Sequence, residues 1–101
     1  MAVVTVESVR EALADVLPVY HVRRAYLFGS QARGEATRES DVDLAFEEYV
    51  PYTLGDRRAV EKALRERLGT DVDIISYPGI RSRLFRRSVD RDKVEVYARE
   101  P

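Results

Sequence analysis

Two short motifs in this chain have the residue types that phosphate chemistry needs. Gly29-Ser30 follows an apolar run, and Asp41-Val42-Asp43 begins after residues 31–40. A glycine at the end of a strand lets the backbone approach an oxyanion closely, and a serine that begins a helical turn can donate a hydrogen bond to it. Two carboxylates one residue apart on a strand share a face and supply hard oxygen ligands for Mg²⁺ or Mn²⁺. The two motifs together predict a site for a metal-bound phosphate.

Further acidic residues occur in the segment 71–76, DVDIIS. Asp71 and Asp73 alternate there with apolar residues, so their side chains point away from the apolar face of the predicted strand. If this strand is a neighbour of 41–46, three or four carboxylates converge, and they repel one another unless some are protonated or a cation lies between them. Two ions held by Asp41, Asp43 and Asp73 would suit phosphoryl or nucleotidyl transfer, because they stabilise charge on the attacked phosphorus and on the leaving group.

The elements that position these residues follow from hydrophobic periodicity and from helix-ending residues. Because the connection 29–40 is short for a crossover, we expect the first two strands to be antiparallel and the sheet to be mixed. The prediction is an α/β (α+β) fold, a mixed sheet of about four strands flanked by helices. The predicted elements, in chain order, are a helix between Thr5 and Pro18, a strand at 23–28, one helical turn at 30–34, a strand at 41–46, a helix at 54–68, a strand at 71–76, a helix at 80–89 and a strand at 94–97.

Composition and charge exclude several classes of protein. The 101 residues predict a single domain over 1–101, and 45% hydrophobic with 35% charged residues is typical of a globular chain. The absence of cysteine excludes disulfides and thiolate metal sites, and His21 alone cannot make a multi-histidine site. A net charge of −1 argues against nucleic acid as a partner. With no long apolar run and no signal-peptide pattern, we expect a cytoplasmic protein without membrane contact.

Charge is unevenly distributed along the chain. The stretch 35–56 is strongly acidic, whereas 81–93 is rich in arginine. This pattern fits a cation site beside a surface that attracts anions or an acidic partner, and it also fits two solvated faces.

The spacing of these motifs resembles that of the polymerase-beta-type nucleotidyltransferase superfamily. Gly-Ser, ten residues, Asp-x-Asp and a later aspartate follow the order of its signature, and the context YLFGSQARGEATRESDVDL is similar to its smallest branch, the minimal nucleotidyltransferases encoded beside HEPN-domain proteins. The resemblance covers nearly the whole chain and implies the polymerase-beta-like fold. It also implies Mg²⁺, with two ions, or Mn²⁺ as cofactor, and ATP as substrate.

The resemblance assigns roles to particular residues. Gly29 and Ser30 match the phosphate-binding pair, and Arg33 lies at a position that faces the nucleotide or a partner. The matching metal ligands, which are also the catalytic carboxylates, are Asp41, Asp43 and Asp73, with Asp71 as the alternative to Asp73.

The resemblance also implies a partner and a reaction. Members of this branch resemble antitoxins that form hetero-oligomers with HEPN toxins and transfer AMP from ATP to a toxin tyrosine. Two other functions stay open at this point: neutralisation of the partner by contact without catalysis, and transfer to a small molecule or a nucleic-acid end.

The individual residues also allow purely structural interpretations. Gly29 to Asp43 would also fit a hairpin with a polar turn. Asp73 would also fit an exposed acid at a strand edge, and Arg33 a surface ion pair.

Overall fold

The computed structural model describes residues 4–35 and 41–99 and contains the predicted alternation of helices and strands. Residues 36–40, part of the predicted connection between the first two strands, lie outside the described residues, as do the ends of the chain. The elements are α1 (Val6–Val16), a 3₁₀ turn (Leu17–Val19), β1 (Val22–Phe28), α2 (Ser30–Arg33), β2 (Val42–Glu48), α3 (Leu54–Leu68), β3 (Val72–Ser76), α4 (Arg83–Asp92) and β4 (Val94–Ala98).

The helix ends follow from side-chain capping. The Thr5 hydroxyl accepts a hydrogen bond from the backbone N–H of Ser8, and Ser8 caps the backbone of Thr5 in return, so α1 begins with a capping box. Thr53 and Asp56 form the same reciprocal pair at the start of α3. Gly69 ends α3 in the left-handed conformation, as predicted.

One four-stranded sheet runs through the molecule in the order β3-β2-β1-β4. β1 pairs antiparallel with β2 and with β4, whereas β2 pairs parallel with β3 through the crossover helix α3. The prediction of a mixed sheet with antiparallel first strands is therefore confirmed. β3 becomes an edge strand, which places the second acidic segment at one side of the sheet.

The two faces of the sheet are covered differently. The main core lies under α1 and α3 and contains Leu13, Leu44, Phe46 and Leu64, all fully buried. The opposite face has a smaller core under α4, built on Tyr26, Ala45 and Val89. Asp43 and Asp73 belong to this second face, because their neighbours in sequence point into the main core.

The last helix differs from its predicted position. The apolar spacing of 80–89 predicted a helix there, but α4 begins at Arg83, after Ile80. Only Val89 of this helix is buried; Leu84 and Phe85 are 77% and 42% exposed. Within the described chain, no helix is both long and apolar enough to cross a membrane.

Candidate functional site

The predicted site residues come together at one end of the sheet. In the register of β1, β2 and β3, Phe28 lies opposite Asp43, and Asp43 lies opposite Asp73. These three positions form one row across the sheet, which we call the acid row. Gly29 follows Phe28 directly, so the turn after β1 lies beside the first carboxylate of the row.

The backbone of Gly29 packs directly against the Asp43 carboxylate. A Cβ atom placed on Gly29 would lie 2.6 Å from Asp43 Oδ2, a distance that real Cβ contacts essentially never show. Gly29 also has φ 75° and ψ −156°, a region that residues with a side chain rarely adopt. Both the contact and the conformation favour glycine at this position, and they place the predicted phosphate turn directly beside the predicted metal ligand.

The turn that follows is closed by backbone hydrogen bonds. The N–H of Arg33 donates to the carbonyl of Gly29 over 3.1 Å, and the N–H of Glu35 donates to the carbonyl of Ser30 over 3.0 Å. Gly34 ends this single helical turn in the left-handed conformation. Ser30 is thus held at the first position of α2, directly after the glycine that packs against Asp43.

The environment of Asp43 disfavours its charged form. Burial raises the pKa of this carboxyl above its ordinary value, and the negative charges of Asp73 and Asp41 raise the pKa further. The positive charge of Arg33 acts in the opposite direction. The negative charges of Asp41 and Asp73 thus act on Asp43, and a bound cation would relieve this repulsion.

The residues present fit a hard divalent cation. As the side chains stand, no three acidic or histidine residues of the described segments are grouped tightly enough to hold a metal ion. Asp43 and Asp73 nevertheless occupy neighbouring strands, which lie about 4.8 Å apart, and Asp41 stands about 7 Å from Asp43 along the chain. Asp41 and Asp73 are exposed, so their side chains are free to rotate toward an ion bound at Asp43.

Asp71, the alternative third ligand, lies in a different environment. Its side chain is 81% exposed, and its carboxylate is 3.9 Å from Nε of Arg65 on α3. Asp73, in contrast, lies directly opposite Asp43 and contributes to its raised pKa. This geometry favours Asp73 over Asp71 as the third carboxylate of the row.

Arg33 is fixed by two carboxylates. Its Nε donates to Glu35 over 2.6 Å, and its guanidinium also donates to Asp92 Oδ2 over 2.8 Å. The Asp92 side chain is only 7% exposed, and its pKa is lowered by hydrogen bonds from Arg91 and Arg33. Arg33 thus forms the ion pair that was the structural alternative to a functional role. Its positive charge also lowers the pKa of Asp43. Asp92 was not predicted, because 59 positions separate it from Arg33 and no local pattern marks it.

The Asp43→Asn variant is expected to be more stable than the wild type in metal-free buffer at neutral pH. A folded-state pKa above the unfolded one means that the folded protein holds the proton more tightly, so stability falls as pH rises through that interval. The stability of the variant should not decrease over this pH interval, because asparagine does not titrate. Thermal unfolding measured from acidic to neutral pH checks the difference.

The same experiment includes the metal and a control. Mg²⁺ should raise the Tm of the wild type and leave that of Asp43→Asn unchanged, because only the wild type gains a bound ion. Asp71→Asn removes a more exposed carboxylate and should show the wild-type pH profile. An equal stability gain in both variants would contradict this account of Asp43.

The match to known proteins covers most of the chain. A family model described as "Polymerase beta, Nucleotidyltransferase" matches residues 11–101. Two proteins of Methanocaldococcus jannaschii, each named "Putative protein adenylyltransferase", are similar to it. One is 29% identical over 90 residues, covering 89% of this chain and 92% of the relative. The other is 30% identical over 89 residues, covering 84% and 96%.

Solved structures with the same fold include a protein described as a "putative minimal nucleotidyltransferase". It is 33% identical, with a TM-score of 0.77, and the match covers 93% of this chain and 98% of that one. A toxin–antitoxin complex with AMP-PNP gives a TM-score of 0.73 at 23% identity, over 96% and 76% of the chains. A tri-AMPylated Shewanella oneidensis HEPN toxin in complex with its MNT antitoxin gives 0.64 at 20% identity, over 93% and 70%. At these identities the last two show the fold alone.

Proposed function

The chain belongs to the polymerase beta nucleotidyltransferase family, and on that premise we propose that it transfers AMP from ATP to a tyrosine hydroxyl of a HEPN-type partner protein. The reaction would depend on Mg²⁺, and the modification would make the protein an antitoxin for its partner. The resemblance inferred from the sequence motifs, the fold class and the assignment as a nucleotidyltransferase are confirmed by the family match and the structural neighbours. The acceptor, the metal and the roles of individual residues are the proposal.

One observation carries the proposal: the Gly29 backbone and the Asp43 carboxylate are in contact. A metal-bound triphosphate would need a phosphate-binding turn and carboxylate ligands for the metal side by side. The turn at Gly29-Ser30 and the acid row meet this requirement in one place. A connection between β1 and β2 with no binding role would have no reason to place a partly buried carboxylate against a glycine whose conformation other residues avoid.

In this mechanism the chain's own residues bind, orient and deprotonate. Gly29 and Ser30 would hold the phosphates, and Asp41, Asp43 and Asp73 would hold Mg²⁺, which supplies Lewis acidity at the transferred phosphoryl group. The acceptor oxygen forms a bond to the α-phosphorus while the bond to the leaving pyrophosphate breaks. The proton of the acceptor hydroxyl passes to Asp73, which lies at the end of the row farthest from Gly29.

The names of the relatives and the complexes in which the structural neighbours occur support a HEPN-type partner. Two relatives carry the name "Putative protein adenylyltransferase", and two neighbours of the same fold come from toxin–antitoxin complexes, one with an AMPylated HEPN toxin. The near-neutral charge of this chain, −1, gives no reason to expect a nucleic-acid acceptor. A HEPN protein is therefore the acceptor to test.

The direct test uses two labelled forms of ATP. The purified protein is incubated with its purified HEPN partner, Mg²⁺ and ATP labelled on either the α- or the γ-phosphate. Transfer of AMP predicts that α-label enters the partner, that γ-label leaves as pyrophosphate, and that EDTA prevents both. Peptide mass mapping should then locate the added AMP on a tyrosine.

Other outcomes separate the competing functions. An unlabelled partner that still co-purifies would indicate an antitoxin that acts by contact and not by catalysis. Label in a small molecule in place of the partner would move the acceptor to the third function. Label from the γ-phosphate on the partner would contradict nucleotidyl transfer.

A further inference from the structure

A cleft lies between the edge strand β3 and the start of α4. We call it the β3–α4 cleft; its volume is about 460 Å³. No part of the phosphate turn or the acid row lines it. The residues that line it are Arg57, Ile75, Ser76, Gly79, Ile80, Arg81, Ser82 and Phe85.

The cleft adjoins the acid row at its β3 end through Ile75 and also reaches Phe28 through Phe85. Ile75 follows Asp73 by two residues on β3, so both side chains leave the same face about 7 Å apart. Gly29, in contrast, follows β1, which is separated from β3 by β2. The β3 part of the cleft thus lies near the end of the acid row that is farthest from the phosphate turn.

The inner part of the cleft is apolar and open to solvent. Ile75, Ile80 and Phe85 supply its apolar surface. Phe85 is 42% exposed and packs edge-to-face on Phe28, with ring centroids 6.0 Å apart. Because Phe28 is the first member of the acid row, Phe85 links the cleft to the site. An exposed aromatic ring beside two isoleucines offers a surface for a flat apolar group.

The rim of the cleft is positively charged. Arg57 donates a hydrogen bond to the backbone carbonyl of Ile74, which fixes its guanidinium beside the edge of β3. Arg81 lies on the segment that leads into α4, and its side chain is exposed. Among the described residues that line the cleft, none is acidic. A negatively charged occupant would therefore be attracted to it.

In-line displacement decides which substrate lies on this side. The attacking oxygen and the leaving group must stand on opposite sides of the transferred phosphorus. With the pyrophosphate at Gly29-Ser30, an acceptor held at the β3 part of the cleft would approach past Asp73. We propose that the β3–α4 cleft binds the acceptor segment of the partner protein, with a tyrosine ring against Phe85 and acidic neighbours paired with Arg57 and Arg81. This inference rests on the proposed function and adds the acidic character of the acceptor.

The test separates binding of the acceptor from binding of the nucleotide. Phe85→Ala and Arg81→Glu are compared with the wild type in two measurements: calorimetric binding of AMP-PNP with Mg²⁺ to the protein alone, and the rate of AMP transfer against the concentration of the HEPN partner. Arg87→Glu is the matched control, because it makes the same change of charge on an exposed α4 residue outside the cleft.

We expect the KM for the partner to rise about tenfold or more in both cleft variants, while the Kd for AMP-PNP changes less than about twofold. Arg87→Glu should resemble the wild type. Arg81→Glu keeps the test decisive if Phe85→Ala fails to fold, since Arg81 is exposed and replacing it removes no core side chain.

Three results would overturn the inference. Weakened AMP-PNP binding with an unchanged KM for the partner would place the nucleobase in the cleft. Unchanged values in both measurements would show that the cleft is not used. If the wild type binds AMP-PNP but transfers no AMP, the result would contradict the proposed function and this inference with it.

Discussion

A Gly29→Ala variant is expected to fold and to transfer AMP about 100-fold more slowly than the wild type. The new Cβ would lie 2.6 Å from Asp43 Oδ2, so the carboxylate or the phosphate turn must shift. Displacing a substrate-positioning group by about 1 Å can cost a factor of roughly 10² in rate. The conformational cost, on the order of 1–3 kcal/mol, leaves a typical domain folded. Single-turnover transfer rates, with circular dichroism as the check of folding, measure the effect.

Gly69→Ala is the matched control for this prediction. Gly69 also has a positive φ, 69°, but a Cβ placed there would meet nothing within 4 Å. The variant should lose about 1–2 kcal/mol of stability and keep its transfer rate. Equal loss of activity in both variants would show that the effect comes from destabilisation and not from the contact with Asp43.

The Asp41→Asn/Asp43→Asn double variant is expected to lose transfer by about a thousandfold or more and to keep its fold. Losing several kcal/mol of metal-dependent stabilisation of the transition state corresponds to a factor of this size, at about 1.36 kcal/mol per factor of ten. The fold should persist, because Asp41 is exposed and the environment of Asp43 already disfavours its charge. Transfer rates measured across a Mg²⁺ titration check both the loss and its cause.

A charge-matched control accompanies the double variant. Glu11→Gln/Glu66→Gln removes two exposed carboxylates from α1 and α3, outside the acid row. It should transfer AMP at the wild-type rate and show the wild-type dependence on Mg²⁺. Full activity in the aspartate variant, or its unfolding, would contradict the assignment of Asp41 and Asp43.

The local parts of the fold could be predicted because short-range physics decides them. Thr5 and Gly69 mark helix ends through hydrogen bonds and backbone conformations that involve only a few neighbouring residues. The alternation in β2 and β3 placed Asp43 and Asp73 away from the main core, because a strand's side chains alternate between faces. Both predictions needed no knowledge of distant contacts.

The parts that depend on distant contacts could not be predicted. The alternation in 71–76 fits a strand next to β2 or elsewhere, and only the register places Asp73 opposite Asp43 while Asp71 stands near Arg65. The spacing of Leu84 and Phe85 fits a helix, yet it does not tell which side of the helix meets the sheet. The pair Arg33–Asp92 joins two helices far apart in sequence, so neither residue alone indicates it.

The intact mass of the proposed HEPN partner tests the central claim most directly. The partner is co-expressed with the wild type or with Asp41→Asn/Asp43→Asn, purified and weighed by mass spectrometry. The account predicts mass increments of one or more AMP groups on the partner with the wild type, and none with the variant. A partner that is unmodified with the wild type, or equally modified with both, would contradict the claim that this site is a protein adenylyltransferase centre.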